Sequence, residues 1–283
     1  MNVFKKEKEL QSYLKEIKAA GKKIGLVPTM GALHQGHISL FKNAKKENAI
    51  VVGSLFVNRI QFNNPDDFTH YPKDHEKDIR FLKKMQVCDV LFIPEEAEMY
   101  KDIETINPEL HHLNEVMEAR FRPGHFEGVA RIVYKLFDLV KPNIAYFGQK
   151  DLQQFKVIEK VVTQYNLPIN LQLCPTIRED DGLAMSSRNT RIKPEDRPLA
   201  AKIYRALNYA GDLLNFGDSV EQTKKKVADF ISKFKPLELE YFEIADEETL
   251  YPLSSVEGKK SFALFIVVYL GAVRLIDNVI IIA

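Results

Sequence analysis

Two histidines three residues apart, His34 and His37, stand where an apolar segment gives way to a helical pattern. Residues 23–27 predict a short buried strand, and apolar side chains recur at helical spacing after residue 37. Gly31 and Gly36 allow backbone N–H groups to approach a ligand, and a helix N-terminus attracts anions. Imidazoles can donate hydrogen bonds to phosphate oxygens or, when protonated, offset charge in phosphoryl transfer. The segment predicts a phosphate-binding turn; the alternative is a plain turn with two surface histidines.

Two further segments carry groups suited to anions. Lys150, close to Gly148 at a predicted helix start, offers a mobile point charge, although it could equally be a solvated helix-terminal lysine. Residues 186–188 read Ser-Ser-Arg, which combines two hydroxyl donors with a guanidinium that can fork onto phosphate. A mobile loop there could close over a nucleotide, and the alternative is an ordinary serine-rich turn.

Other polar groups leave two interpretations open. Gln61 and Gln154 offer amides suited to hydroxyl and carboxylate groups of a small molecule, or are surface amides. The basic, aromatic residues 120–126 either add charge to a cleft or cap the next helix. The acidic residues 179–181 suggest a magnesium contact or a solvated turn, and no acidic pair has a spacing that demands a metal.

The elements that must position these groups alternate between strand and helix. In the first part, strands are predicted over 23–27, 49–56, 89–94, 143–147 and 169–173, and helices up to about 47 and over 74–86, 128–140 and 151–165. This alternation predicts an α/β fold with a Rossmann-like, doubly wound parallel sheet. After residue 175 the pattern changes to helices over 195–214 and 220–234 and strands over 237–244, 262–270 and 273–282. We therefore expect a first domain over 1–175 and a smaller C-terminal α+β domain over 176–283.

Ligands of open parallel sheets bind outside the carboxyl ends of the strands. Four polar clusters follow predicted strands, at residues 29–37, 58–62, 148–151 and 176–182. If the strands are correct, all four clusters meet at one crevice.

Composition excludes several classes of partner. The 283 residues carry 40 basic and 39 acidic side chains, so the formal charge of +1 provides no field for gripping nucleic acid or an anionic membrane. The longest apolar stretch, 262–273, is too short to span a membrane, and the charged N-terminus does not resemble a secretory signal. Cys88 and Cys174 have no metal-ligand or disulfide pattern, which predicts buried, reduced thiols in a cytoplasmic protein.

An ordered set of motifs extends over nearly the whole chain. These are 27–34 (VPTMGALH), 34–37 (HQGH), 56–58 with 61–62, 122–126 (RPGHF), 146–148 with 150–151, 153–154, 181–189 (DGLAMSSRN) and 274–278 (RLIDN). The chain thereby resembles the pantoate–β-alanine ligase family, members of the nucleotidyltransferase superfamily with a His-x-Gly-His signature. The resemblance implies an ATP-dependent ligation of (R)-pantoate and β-alanine to pantothenate. In that reaction pantoate attacks ATP to give pantoyl adenylate and pyrophosphate, and β-alanine then releases AMP; Mg²⁺ accompanies ATP, and the enzyme is a homodimer.

The resemblance also implies roles for particular residues. His37, His34 and Lys150 are the expected catalytic residues, with His37 the usual proton donor. The expected ATP-binding residues are Met30, Gly31, Ala32, Leu33, His34, Gln35, Gly36, His37, Gly148, Gln149, Lys150, Asp151, Ile177, Met185, Ser186, Ser187 and Arg188. Asn58, Gln61 and Gln154 match the pantoate-binding positions, with Gln61 also near β-alanine. The metal ligands are not specified, and the second domain is expected to close over ATP.

Two positions depart from the family pattern. Arg59 stands where the family usually has proline, which removes a fixed φ and adds a cation, and Gln149 replaces a glutamate beside Lys150. Two alternatives to the ligase activity remain open, and only the second of them is motivated by these two departures. One is a nucleotidyltransferase acting on a phosphorylated alcohol, against which Gln61 and Gln154 argue, and the other is a non-catalytic nucleotide sensor.

Overall fold

The structure, a computed structural model, describes residues 1–282. Its first part contains a sheet of six parallel strands: β1 (Asn2–Phe4), β2 (Ile24–Thr29), β3 (Ile50–Leu55), β4 (Val90–Phe92), β5 (Ile144–Gly148) and β6 (Asn170–Cys174). Helices in this part are α1 (Glu7–Ala19), α2 (Gln35–Glu47), α3 (Pro65–Thr69), α4 (His75–Met85), α5 (Glu96–Tyr100), α6 (Met117–Phe121), α7 (His125–Val140) and α8 (Leu152–Gln164). The predicted doubly wound parallel sheet is confirmed.

The apolar strand residues alternate between two separate cores because successive side chains of a strand point to opposite faces. On one face, Leu26 and Val52 pack in a cluster with α1, α7 and α8. On the other face, their neighbours Val27 and Val51 pack in a cluster with α2 and α4. Both faces are therefore covered, which is why these strands read as continuous apolar runs in the sequence.

The strand order is β1-β4-β3-β2-β5-β6. The chain moves outward from β2 through β3 to β4, and then resumes on the other side of β2 with β5 and β6. The order reverses between β2 and β5, and this is the point where doubly wound sheets leave a crevice at the carboxyl ends of their strands.

The second part contains α9 (Arg197–Ala200), α10 (Lys202–Asn215), α11 (Val220–Ser232) and an antiparallel sheet of β7 (Leu237–Asp246), β8 (Ser261–Leu270) and β9 (Val273–Ile282). Strand β8 is apolar on both faces. Leu264 and Ile266 pack with α10 and α11, whereas Ala263 and Phe265 pack against residues of α6, α7 and α8. Most of the apolar stretch identified in the sequence is therefore the buried strand that was predicted over 262–270, and it lies at the centre of this sheet.

The sequence analysis did not predict β1, α1 or the five-residue helices α3, α5 and α6. Strand β1 has three residues, too few for a periodic signal. Helix α1 did leave one, since Leu10, Leu14 and Ile17 recur at helical spacing, and the two leucines are fully buried. Other differences are at element ends: α7 begins at His125, and the helix predicted over 195–214 divides into α9 and α10.

Among residues 1–282, no helix is long and apolar enough to cross a membrane. Cys88 and Cys174 are both free and buried, as the sequence predicts.

Candidate active site

A cavity of about 1000 Å³ lies at the carboxyl ends of the parallel strands. All four polar clusters that follow predicted strands contribute to its wall, together with the Ser-Ser-Arg segment and residues of β9. The convergence expected from the parallel topology is thus observed. Its volume is at the upper end of the range common for small-molecule sites, which leaves room for more than one substrate.

Most of the predicted site residues line this cavity, although not all do. Those in the wall are Met30, His34, Gly36, His37, Asn58, Gln61, Gly148, Lys150, Asp151, Gln154, Ile177, Met185, Ser186, Ser187 and Arg188. Those outside the wall are Gly31, Ala32, Leu33, Gln35 and Gln149. The structure therefore gathers the predicted catalytic residues, while five neighbours shape the segments that carry them.

The two histidines form a compact pair at the start of α2, with ring centroids 4.0 Å apart. Nδ1 of His34 accepts the backbone N–H of Gly36 at 3.2 Å, and Nδ1 of His37 accepts that of His34 at 3.2 Å. A Cβ on Gly36 would stand 2.9 Å from the His34 ring, so only glycine fits there. Because each Nδ1 is an acceptor, each neutral ring must carry its proton on Nε2. The pair therefore offers two N–H donors.

Burial keeps both imidazoles neutral. It lowers the pKa of His34 to about 4, with the positive charge of Lys150 adding to the effect. The pKa of His37 lies well below its usual value because of burial, the neighbouring His34 and Lys150. Near pH 7 the pair thus acts as hydrogen-bond donors and not as cations.

Asp78 of α4 holds the turn that precedes His34. Its carboxylate accepts the backbone N–H groups of Ala32 at 2.9 Å and of Leu33 at 2.8 Å, and the side chain is buried. Gly31 and Ala32 both have positive φ, +84° and +50°. Backbone N–H groups that the sequence suggested for a ligand are therefore bound to a carboxylate of the protein, which fixes the turn.

Lys150 stands in the short 3₁₀ turn Gln149–Asp151 between β5 and α8. Its side chain is 17% exposed, and its ammonium lies 3.9 Å from the Asp151 carboxylate. The charge of Lys150 lowers the pKa of both His34 and His37, so the ammonium and the imidazoles act on the same region of the cavity. The turn therefore brings a positive charge to the donor pair.

The Ser-Ser-Arg segment is joined to the histidine turn, since Ser187 Oγ donates to the carbonyl of Ala32 at 3.0 Å. Arg188 is paired with Asp67 of α3, at 2.8 Å between Nη2 and Oδ2, and Arg191 also contacts that carboxylate at 2.7 Å. The two guanidinium groups lower the pKa of Asp67 against the opposing effect of burial. A phosphate would thus compete with Asp67 for Arg188.

Asn58 forms a hydrogen bond with the side chain of Gln61. Its Nδ2 donates to Gln61 Oε1 at 2.9 Å and to the carbonyl of Gly128 at 3.0 Å. With Oε1 occupied, Gln61 donates one N–H of Nε2 to Met30 Sδ at 2.9 Å. The second N–H of this amide is left for a ligand.

Arg59, where the family pattern has proline, uses the N–H that proline lacks. This N–H donates to the Tyr100 hydroxyl at 2.7 Å, and that hydroxyl donates to Asn58 Oδ1 at 3.3 Å. The exposed Arg59 side chain lies 3.6 Å from Glu96. A hydrogen-bond chain thus fixes the segment in which a proline ring would have restricted φ.

Residues 120–126 bring charge to the cavity. Arg122 lines the wall and donates to the carbonyl of Gln61 at 3.2 Å. Nδ1 of the buried His125 donates to the same carbonyl at 2.7 Å, and its Nε2 lies 3.2 Å from Arg122. Burial and the Arg122 charge lower the pKa of His125 to about 3. Helix α7, which follows, has no side-chain cap bond.

Arg274 of β9 connects the second part of the chain to this wall. Its guanidinium binds both oxygens of Glu118 of α6, at 2.8 and 2.6 Å, and Tyr241 donates to the same carboxylate at 3.0 Å. Despite the opposing effect of burial, the contacts with Arg274 lower the pKa of Glu118 to about 2. The carboxylate is therefore ionised and joins α6 to the antiparallel sheet.

Sequence reasoning missed several of these side chains, including Asp67, Asp78, Tyr100, Glu118 and Arg191. Local patterns give no signal for them, because each is one charged or polar residue in an ordinary polar segment. Arg274 lay within a recognised motif but received no role.

Comparison with known proteins identifies the same relatives by sequence and by structure. The family model described as pantoate-beta-alanine ligase matches residues 2–280. Pantothenate synthetase of Cytophaga hutchinsonii is 43% identical over 281 residues, covering 97% of each chain. That of Caldicellulosiruptor saccharolyticus is 44% identical over 282 residues, covering 99% of each.

Two solved structures are similar along the whole chain. The crystal structure of pantothenate synthetase from Thermus thermophilus has a TM-score of 0.91 at 37% identity and covers 99% of both chains. That of pantoate-beta-alanine ligase from Francisella tularensis, described as complexed with beta-gamma ATP and beta-alanine, has a TM-score of 0.79 at 36% identity and covers 99% of this chain and 97% of that one. On the ordered motifs, the fold and these matches, the chain belongs to the pantoate–β-alanine ligase family.

Proposed function

We propose that this enzyme joins (R)-pantoate and β-alanine to form pantothenate, with ATP converted to AMP and pyrophosphate through a pantoyl adenylate. The observation that carries the proposal is the convergence of four strand-end clusters and the Ser-Ser-Arg segment on one cavity. That cavity combines neutral N–H donors, an ammonium and guanidinium groups with amides, a set suited to a triphosphate beside a small hydroxy acid.

The phosphate side of the proposed site contains His34, His37, Lys150 and Arg188. When the pantoate carboxylate attacks the α-phosphate, negative charge grows on the phosphoryl oxygens and on pyrophosphate. The two Nε2–H donors and the Lys150 ammonium would stabilise that charge from fixed positions, which is the most effective form of electrostatic catalysis. Arg188 would add its charge after exchanging Asp67 for phosphate, and no protein nucleophile is needed.

The remaining ATP contacts follow the same assignment. Gly148 and Asp151 would flank Lys150, Ile177 would lie beside adenine, and Met185 to Ser187 would cover the phosphates. Gly31, Ala32, Leu33, Gln35 and Gln149 would act through the shape of the segments they belong to, since they lie outside the cavity wall.

On the acid side, Gln61 and Gln154 would bind pantoate through their amides. Asn58 holds Gln61 Oε1 at 2.9 Å, so it would orient the Gln61 donor toward a pantoate oxygen. We assign Gln61 to the neighbourhood of β-alanine as well. An amine that attacks the adenylate from this side would meet the mixed anhydride in a site where the surrounding loops limit water.

Magnesium would enter with ATP. Residues 1–282 contain no group of three or more His, Cys, Asp or Glu side chains placed to hold a metal ion. Mg²⁺ is commonly held by substrate phosphates, water and only one or two carboxylates. Asp151 in the cavity wall is the carboxylate we assign to it, and the ion would neutralise phosphate charge when bound.

Three further features belong to the proposal. Residues 1–175 would form the nucleotide- and pantoate-binding domain, and residues 176–283 a smaller domain that closes over ATP. The active species would be a homodimer, which light scattering of the purified protein can test. The protein would act in the cytoplasm, where its free, buried thiols at Cys88 and Cys174 would stay reduced.

An omission experiment tests the function. Purified protein is incubated with ATP, Mg²⁺, pantoate and β-alanine, and AMP and pyrophosphate are followed while one component at a time is left out. Pyrophosphate release should require pantoate, and AMP release should require β-alanine as well. Pyrophosphate release with a phosphorylated alcohol in place of pantoate, or ATP binding without turnover, would refute the proposal.

Two variants test the catalytic assignment. His37→Ala and Lys150→Ala should each slow pantoyl-adenylate formation by at least roughly 100-fold, the loss typical for one fixed transition-state donor. The exposed His111→Ala and Lys225→Ala are matched controls, with side chains 62% and 82% exposed. Near-normal single-turnover rates in both site variants would reject these roles.

A further inference from the structure

Two neighbouring residues of β9, Asp277 and Asn278, contact segments of the proposed ATP site that are far away in the chain. Both are buried, with 3% and 1% of their surface exposed. Neither received a role in the site described above. Their contacts are with the turn that carries Lys150 and with the residue that follows Ile177.

Asn278 holds the backbone of the Lys150 turn. Its Nδ2 donates to the carbonyl of Gln149 at 2.9 Å and to the carbonyl of Lys150 at 2.8 Å. The two bonds use both amide hydrogens on successive carbonyls, which fixes the two peptide groups on either side of the Lys150 Cα. Asn278 Oδ1 has no partner, so one polar atom of this buried side chain is unsatisfied.

Asp277 holds the base of the loop that carries the Ser-Ser-Arg segment. Its carboxylate accepts Arg178 Nη1 at 2.6 Å and Nη2 at 3.1 Å, and the Asn278 N–H at 2.8 Å. Arg178 also donates to the carbonyl of Gly182 at 3.1 Å, and Ile177 accepts the N–H of Met185 at 2.9 Å. One strand of the antiparallel sheet thus contacts both segments that present cations to the cavity.

We infer that Asn278 is a positioning residue for adenylate formation: it fixes the Gln149 and Lys150 carbonyls and so places the Lys150 ammonium against the phosphates. The inference rests on the proposed function, in which Lys150 stabilises the departing pyrophosphate. Asn278 does not line the main cavity, so it acts through Lys150 and not by touching substrate.

The structure offers a comparison residue with the same kind of contacts but none with the Lys150 turn. Asn48 is also buried, at 7% exposed, and its Nδ2 donates to the carbonyl of Ala44 at 2.9 Å and to the Tyr146 hydroxyl at 2.7 Å. Its Oδ1 is unpartnered as well. Asn48→Ala and Asn278→Ala thus remove the same kind of contact, but only the second touches the Lys150 turn.

The test measures pantoate-dependent pyrophosphate release in single turnover, over a range of ATP concentrations, for variants confirmed as folded by circular dichroism. Asn278→Ala should lower kcat/KM for ATP by roughly 10- to 100-fold, since small misplacements of a catalytic group have such effects. Asn48→Ala should stay within about twofold of the unmodified enzyme if its contacts serve stability alone. In a Lys150→Ala background, Asn278→Ala should change the rate by less than about twofold. The ammonium that Asn278 positions is already absent from this background, so the second substitution has nothing further to displace.

Three results would overturn the inference. The first is a normal kcat/KM in Asn278→Ala, and the second is an equal loss with and without Lys150. The third arises if Asn278→Ala does not fold. Asn278→Thr, which keeps nearly the same volume but lacks the amide donors, then replaces it. Failure of both to fold while Asn48→Ala folds would assign Asn278 to stability. If the unmodified enzyme releases no pyrophosphate with pantoate, the proposed function fails first, and the inference fails with it.

Discussion

Replacing Asp78 by asparagine tests how the turn before His34 is held. The Asp78 carboxylate accepts two backbone N–H groups, those of Ala32 and Leu33, at 2.9 and 2.8 Å. Asparagine has nearly the same shape but only one acceptor oxygen. One N–H would keep a partner, and the other would face the NH₂ group of the new side chain.

The expected cost follows from the burial of this contact. Asp78 is 2% exposed, so water cannot replace the lost acceptor. Losing one charge-assisted bond and leaving a buried donor unpaired costs about 2 to 4 kcal/mol in free energy of unfolding. That is a large share of the roughly 5 to 15 kcal/mol typical of a folded protein, and for a chain of 283 residues it corresponds to a fall in Tm of roughly 3 to 7 °C.

The Asp78→Asn substitution should also slow the reaction. The turn contains positive φ angles at Gly31 and Ala32, +84° and +50°, and the second is unfavourable for a residue with a side chain. Without a full pair of bonds to Asp78 the turn would relax and move His34. We expect kcat/KM for ATP to fall by roughly tenfold or more, as for other small displacements of catalytic groups.

Urea unfolding and steady-state kinetics measure the two effects. Glu76→Gln is the control, because it removes one charge from the same helix at a side chain that is 87% exposed and paired only with Arg80 at 3.4 Å. Such a surface pair contributes little to stability. If Asp78→Asn unfolds within about 0.5 kcal/mol of the unmodified protein and keeps its kinetics, the carboxylate does not hold the turn.

Two further predictions concern the acid side of the site and the dependence on pH. Tyr100→Phe removes the acceptor of the Arg59 N–H and a donor to Asn58, so KM for pantoate should rise roughly 2- to 12-fold, the value of one hydrogen bond, with KM for ATP unchanged as the check. In the folded state, burial lowers the pKa of His34 to about 4 and that of His125 to about 3, whereas a histidine in the unfolded chain has a pKa of about 6.5. As the pH falls below 7, the unfolded chain therefore binds more protons than the folded protein does. Each histidine should therefore remove roughly 2 kcal/mol of stability between pH 7 and pH 5, and urea midpoints that do not change over this interval would contradict the neutral, buried imidazoles.

The sequence predicted the parallel sheet well because its signal is local. Strands β2, β3 and β5 are buried on both faces of the sheet, so each of them is a short continuous apolar run in the sequence. The helices between them show apolar residues at helical spacing. Strand β1 lacked that signal because three residues do not establish a period. Helix α1 had a visible period and was overlooked.

The location of the site was also available from the sequence, for a topological reason. Polar clusters that follow parallel strands must meet at one edge of the sheet, so His34, Gln61, Lys150 and Ile177 were predicted to share a crevice, and they line one cavity. Their roles in the reaction remain predictions.

Only the tertiary structure decided which polar groups are already hydrogen-bonded to other parts of the protein. Asp78 binds residues 45 and 46 positions away, and Asn278 binds residues 128 and 129 positions away. No local pattern encodes such pairs, because they depend on how separate elements pack. By itself the sequence determined the strands from β2 onward, most of the longer helices, the family and the edge of the sheet where the polar clusters meet. The folded chain determined the proton positions on His34 and His37 and the partners that hold the Lys150 turn, since burial and long-range contacts set both.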